Sequence, residues 1–199
     1  NMTQSKRKII LVVGGPGGSG SSTISNMLAN HFKLPRIYAG DLFRKEAKQR
    51  DIEYFEEFLQ QISQGGNTLD LEIDGMLEEY AKKGNIVIES KVFGALVKSK
   101  DIDITASIWL GANIHTRVMR HLGKRNLKGL RKIWEYVKIR YNLGRRWRID
   151  REKYGRLYKI KYEKPSLYYD IVLDTSKLNE KETFNLILEK LKDGGYIKG

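Results

Sequence analysis

Cysteine is absent from all 199 residues. That excludes disulfides and thiolate metal sites, and it fits a reducing compartment such as the cytoplasm. A run of about 18 apolar residues is also missing, so no membrane-spanning helix is expected. Residues 1–8 (NMTQSKRK) are basic but lead into no long apolar region, and they do not read as a secretory signal. Internal repeats and low-complexity tracts are lacking. Acidic residues are scarce in one place. Residues 117–164 hold 18 Lys+Arg and 4 Asp+Glu, a balance of +14, whereas the rest of the chain comes to −1. One segment therefore carries the whole excess behind the net charge of +13. Three readings fit it: a nucleic-acid face, a cationic lid over phosphates, or a solvated helical surface.

What is present is enough for one domain with a real core, at 40% hydrophobic and 10% aromatic residues. The chain is organised around Gly14-Gly15-Pro16-Gly17-Gly18-Ser19-Gly20-Ser21-Ser22-Thr23. An apolar run, 9–13, precedes this stretch and a helical pattern, 24–32, follows it. Strand, glycine loop and helix form the context of a phosphate-binding loop. Glycines let the backbone curl its N–H groups inward, and the helix start adds unpaired N–H groups and a positive dipole end. Against G-x-x-x-x-G-K-[ST], the alignment runs from Gly15 through Gly20 to Ser22, but Ser21 stands where lysine belongs. The competing reading is a Gly/Ser-rich turn.

In chain order, 8–13 reads as a buried parallel strand and 22–33 as the loop's helix, with Ile24, Met27, Leu28 and Phe32 inward. His31 reads as surface or packing. Residues 36–38 form a short second strand. Asp41 is placed as an N-cap for the next helix. Arg44, one turn in, suits bidentate phosphate recognition, the alternative being a solvated helix arginine. Helices are expected at 53–64 and 69–83, the latter closed by Gly84. Residues 85–89 form a third strand ending in Glu89, where an open α/β sheet places its ligands and where a carboxylate could hold magnesium's water shell. Lys91 follows. A fourth strand (104–110), a helix (114–122) carrying Arg117 and Arg120 on one face, and a helix (127–141) with Trp134 and Val137 inward come next. The basic run 145–151 continues to Tyr158. Strand 169–174 and helix 180–191 close the chain. Strands alternating with helices imply a parallel sheet between helical layers.

Together these residues resemble nucleoside monophosphate kinases, and within them cytidylate kinases of the short archaeal type. The glycine loop is similar to that family's G-P-P-G-S-G-K-S-T, and 38–44 (YAGDLFR) to its S-[AT]-G-D-L-F-R. Residues 83–91 (KGNIVIESK) resemble K-G-N-V-V-V-E-G-R, 146–154 resemble the lid's R-x-x-x-[DE]-R-x-[RK]-Y, and 170–176 (DIVLDTS) resemble D-L-V-I-D-T-S. The series is in order and spans nearly the whole chain.

The resemblance implies a P-loop nucleoside-triphosphate-hydrolase fold over 1–199: a five-stranded parallel sheet in the order 2-3-1-4-5, with monophosphate-binding helices at 41–84 and a helical lid at 117–164. It implies transfer of the γ-phosphate of ATP, with Mg2+, to CMP or dCMP. Gly15, Gly18, Ser19, Gly20, Ser21, Ser22 and Thr23 would take the donor phosphates, and Ser22 and Glu89 the metal. Asp41, Arg44 and Lys91 would take the acceptor, with Asp70 a looser match for reading its base. Arg146 and Arg151 would close from the lid, and Asp150 would orient the acceptor or an arginine. A cytoplasmic monomer without a membrane partner is expected. The chain departs from the family at Ser21, at Ser90-Lys91 in place of Gly-Arg, and in a long basic segment before Arg145. The competing class is a non-catalytic nucleotide or nucleic-acid binder with a degenerate loop. A kinase of another small acceptor is a third reading.

Overall fold

The computed structural model describes residues 8–49, 68–123, 125 and 127–198. Its strands are β1 (Ile10–Gly14), β2 (Arg36–Tyr38), β3 (Ile86–Glu89), β4 (Ala106–Gly111) and β5 (Ile171–Asp174). All pair in parallel, in the order β2-β3-β1-β4-β5. This is the fold and strand order that the resemblance implied. The central strands are apolar and β-branched because both faces are covered. On one face Ile10, Val12, Ile86 and Ile88 pack against α2 (Ala39–Gln49) and α3 (Thr68–Lys83), through Ala47, Leu69, Ile73 and Leu77. On the other, Leu11, Val13 and Ile108 meet α1 (Ser21–Phe32) and α7 (Glu180–Asp193), through Ile24, Leu28, Ile187 and Leu191. Each buried Val, Leu or Ile among them contributes about 1.5–3 kcal/mol through burial.

Strand ends fall within two residues of their expected places. The expected helix 53–64 lies outside the described residues. A short turn of helix, α4 (Phe93–Leu96), follows β3 and was not foreseen. Asp41 is not an N-cap: α2 begins at Ala39, so Asp41 sits in its first turn.

The basic segment folds as α5 (Ile114–Leu122) and one continuous helix, α6 (Gly129–Tyr158). The sequence reading divided α6 into a helix ending at 141 and a separate basic run. Tyr136, Ile139 and Leu143 pack on Val118 and Leu122 of α5. Farther along, Trp147 and Tyr154 join Trp109, Tyr162 and Tyr169 in an aromatic cluster beside the sheet. Trp134 and Val137 were expected inward; both are exposed, because α6 turns its opposite face to α5. Among the described residues no helix is long and apolar enough to cross a membrane.

Candidate active site

The carboxyl ends of β1, β3, β4 and β5 converge, and the glycine loop crosses above them. Gly18 (φ 81°) and Gly20 (φ 99°) take left-handed backbone conformations that glycine adopts without strain. A Cβ on Gly18 would lie 2.9 Å from the Arg117 carbonyl oxygen, so close approach to α5 also demands glycine there.

The loop's carbonyls are held from outside. Arg117 Nε donates to Gly17 O (2.7 Å), Arg120 donates to Gly18 O (3.0 Å), and Thr175 Oγ1 donates to Ser19 O (2.8 Å). Arg120 also grips Thr175 O (2.6 Å) and Leu178 O (3.3 Å) beyond β5. A trans peptide points its N–H opposite its C=O, so these clamps turn the Gly18 and Gly20 N–H groups away from the clamping side chains. The first bond of α1 runs from Ile24 N–H to Gly20 O (3.0 Å), leaving the N–H groups of Ser21, Ser22 and Thr23 ahead of the helical ladder. A cavity of about 820 Å³ opens there, lined by the loop, Glu89, Lys91, Arg120 and Thr175. The cradle can hold a polyphosphate.

Glu89 is its floor. This buried carboxylate accepts Ser22 Oγ (2.6 Å) and Ser21 Oγ (3.2 Å) on Oε1, and Ser25 Oγ (3.1 Å) on Oε2. Arg36 of β2 donates to the same Oε2 and, through Nε, to Ser25 Oγ (2.8 Å). Ser21 thus turns toward Glu89 and brings no charge, while a guanidinium enters from β2. A hydroxyl and a carboxylate 2.6 Å apart are hard oxygen donors of the kind magnesium takes together with phosphate oxygens. Among the described residues no cluster of three or more His, Asp or Glu side chains forms a separate metal cage.

A second cavity, of about 500 Å³, lies between α2, α3 and α6. Arg44, Asp70, Asp74, Arg146, Asp150 and Lys153 are among its walls. Tyr38, Ser90 and Lys91 line both cavities, so the two meet at the end of β3. Lys91 Nζ donates to Asp150 Oδ2 (2.6 Å). Burial pulls the Lys91 ammonium below the usual lysine range, and Asp150 works against that fall. Arg44 donates to Asp41 (2.8 Å) and stands 5.6 Å from the centre of the Tyr38 ring, on the rim.

Deeper in, Lys153 of α6 donates to Asp70 of α3 (3.1 Å), a buried pair. Asp74, one turn on, is buried as well, and its Oδ2 has no partner among the described residues. Burial pushes the Asp74 carboxyl up to about 7, and the nearby Asp70 charge adds to the rise. The structure therefore brings together the loop residues, Glu89, Arg44, Lys91, Arg146 and Asp150. It leaves Asp41 and Arg151 off both linings; Arg151 is exposed on α6. The sequence reading missed Arg36, which read only as a strand residue, and Asp74, whose one-turn spacing from Asp70 was the available signal. Arg117 and Arg120 were noted as neighbours on one face, but not as clamps on the loop.

Comparison with known proteins agrees with this geometry. Residues 13–132 match the family described as AAA domain. The chain is 35% identical to the cytidylate kinase of Pyrococcus horikoshii, over 97% of this chain and 96% of that one. It is 32% identical to the cytidylate kinase of Methanopyrus kandleri, over 90% and 91%. Among solved structures, shikimate kinase from Bacteroides thetaiotaomicron superposes with a TM-score of 0.61 at 15% identity, covering 96% of this chain and all of that one. That likeness speaks to the fold alone. A glycine loop clamped at the head of a parallel sheet, and near full-length identity of about a third to archaeal enzymes, lead to one conclusion: this chain belongs to the cytidylate kinase family of P-loop phosphotransferases.

Proposed function

We propose that the protein transfers the γ-phosphoryl group of ATP to CMP or dCMP, with Mg2+. The observation that carries this reading is the shared wall of the two cavities. A polyphosphate on the glycine loop ends at Lys91, and so does an acceptor lying between Arg44 and Arg146. The acceptor phosphate oxygen attacks the γ-phosphorus, the bond to the β-phosphate oxygen breaks, and ADP leaves with a nucleoside diphosphate. Such a transfer needs positioning and charge more than acid–base chemistry, since charge spreads over the equatorial oxygens.

Gly15, Gly18, Ser19, Gly20, Ser21, Ser22 and Thr23 form the donor cradle. Arg44 and Lys91 hold the acceptor phosphate, which displaces Asp150 from Lys91. Arg146 supplies charge to the transferring group. Ser22 and Glu89 would hold magnesium, which would offset charge on the phosphate oxygens. Asp70 and Asp74 face the acceptor's base. Asp70 would accept from an amino group such as N4 of cytosine and disfavour a carbonyl at that position. A neutral Asp74 both donates and accepts, matching an N3 acceptor beside an amino donor.

The test is a screen of nucleoside monophosphates with ATP and magnesium, read by nucleotide chromatography. The expected products are ADP and CDP or dCDP, with UMP and AMP poorer acceptors. ATP binding without turnover of any monophosphate would favour a non-catalytic nucleotide binder instead.

A further inference from the structure

The first half of α6 carries an apolar stripe that is exposed among the described residues. Leu130 is 85% exposed, Trp134 68% and Tyr141 63%, and Ile133 and Val137 are exposed with them. At 100° per residue these five fall within an arc of roughly 100° on one side of the helix. Tyr136, Ile139 and Leu143 occupy the other side and pack on α5. The stripe is therefore not the packing face left open; it is a second apolar face. Basic residues border it: Arg131 and Lys138 along one edge, Arg140 along the other. Glu135 is the single acidic residue between 128 and 141, and it sits near Arg125 (3.9 Å) rather than on the stripe.

We propose that this face of α6 docks on the surface of an anionic lipid bilayer. Apolar side chains including a Trp and a Tyr, flanked by Lys and Arg, make an interfacial amphipathic helix. Leu130, Ile133 and Val137 would enter the acyl boundary, and the flanking cations would lie among headgroups. Two features favour a bilayer over other partners. Nucleic acid offers bases to stack on Trp134 and Tyr141, but no apolar depth for Leu130, Ile133 and Val137. A second copy would set Arg131, Lys138 and Arg140 against their own like charges. The helix lies on the surface and does not span it.

The experiment uses the full chain and two kinds of vesicle: phosphatidylcholine alone, and phosphatidylcholine mixed with phosphatidylglycerol. Flotation measures binding, and the shift in tryptophan emission on binding reports mainly on Trp134, since Trp109 is buried and Trp147 packs against Tyr162. The expected result is binding at least about tenfold tighter to the anionic vesicles, a blue shift on binding, and release by salt. Leu130→Ser/Val137→Ser, with its melting temperature checked against the parent, should lose most binding while keeping Trp134 as probe. Arg131→Gln/Lys138→Gln should lose the preference for anionic lipid. The proposal is overturned by equal binding to both vesicles or by none. It is also overturned if polyuridylate binds and vesicles do not, or if the Ser variant abolishes a concentration-dependent dimer instead of vesicle binding.

Discussion

At the scale of the residue, Ser21 decides how the charge of the transition state is met. A lysine there would place an ammonium against the β- and γ-phosphates. Ser21 instead spends its hydroxyl on Glu89, whose other oxygen already pairs with Arg36. Arg36 therefore neutralises the floor of the cradle and is committed there. The proposed mechanism gives the transferring group to Arg146, which lines the acceptor cavity close enough to Lys91 to oppose its ammonium charge. Arg151, matched to the same lid motif, is exposed and lines neither cavity. Arg146→Ala should lower kcat for CMP phosphorylation by about 10²–10³ with a small change in the KM for ATP, the cost of one lost transition-state donor. Ser21→Lys should change kcat less, because its ammonium meets a Glu89 that already has a cation. Steady-state kinetics of both variants checks this. A Ser21→Lys protein far faster than the parent, with Arg146→Ala unchanged, would move the chemistry back to the loop.

At the scale of the element, α3 and α6 meet through buried charge. Asp70 is matched by Lys153, but Asp74 is not, and burial holds its carboxyl up near 7 against a usual value of 3.8. Between about pH 4 and 7 the folded chain keeps a proton that the unfolded chain has released, so stability falls as pH rises through that window. Asp74→Asn removes the titration. At pH 8 the variant should be more stable than the parent, by on the order of 3 kcal/mol, with the difference shrinking toward pH 4. Its KM for CMP should change little, since the amide both donates and accepts as the neutral acid does, whereas Asp74→Leu, which does neither, should raise it. Urea unfolding across pH, with CMP kinetics beside it, tests both halves; identical pH slopes would remove the buried-acid argument. This contact also marks where sequence reading stops. The strands and the loop rest on local patterns, and those were legible, whereas the pairing of Lys91 with Asp150, 59 residues along the chain, was not. The periodicity of α6 shows two apolar sides but not which one a neighbour covers, so Trp134 and Val137 were turned the wrong way. That an acid is buried, as Asp74 is, depends on packing between segments some 80 residues apart, which no local pattern records.

At the scale of the whole molecule, most of the excess positive charge, +9 of +13, rides on α5 and α6, set beside the two cavities. α5 is fixed: Arg117 and Arg120 tie it to the loop and to the end of β5. α6 is held toward the acceptor side by Lys91–Asp150 and Lys153–Asp70, and Gly144 in its interior weakens the helix near its middle. On the proposed function, an acceptor phosphate would compete with Asp150 for Lys91, because it brings more negative charge to the same ammonium. Losing that tether alone would leave α6 held by Lys153–Asp70 and its aromatic packing, without the gain that two phosphates bring. Gaining donor and acceptor phosphates together would draw Arg146 inward and hold the helix more tightly than either does. ATP and CMP together should therefore slow tryptic cleavage within Gly129–Tyr158 by about tenfold or more relative to the free protein, and CMP alone should slow it least. Limited proteolysis with ATP, CMP, and a non-hydrolysable ATP analogue plus CMP measures this. If the combination protects no better than ATP alone, α6 is a fixed wall of the site and not a lid.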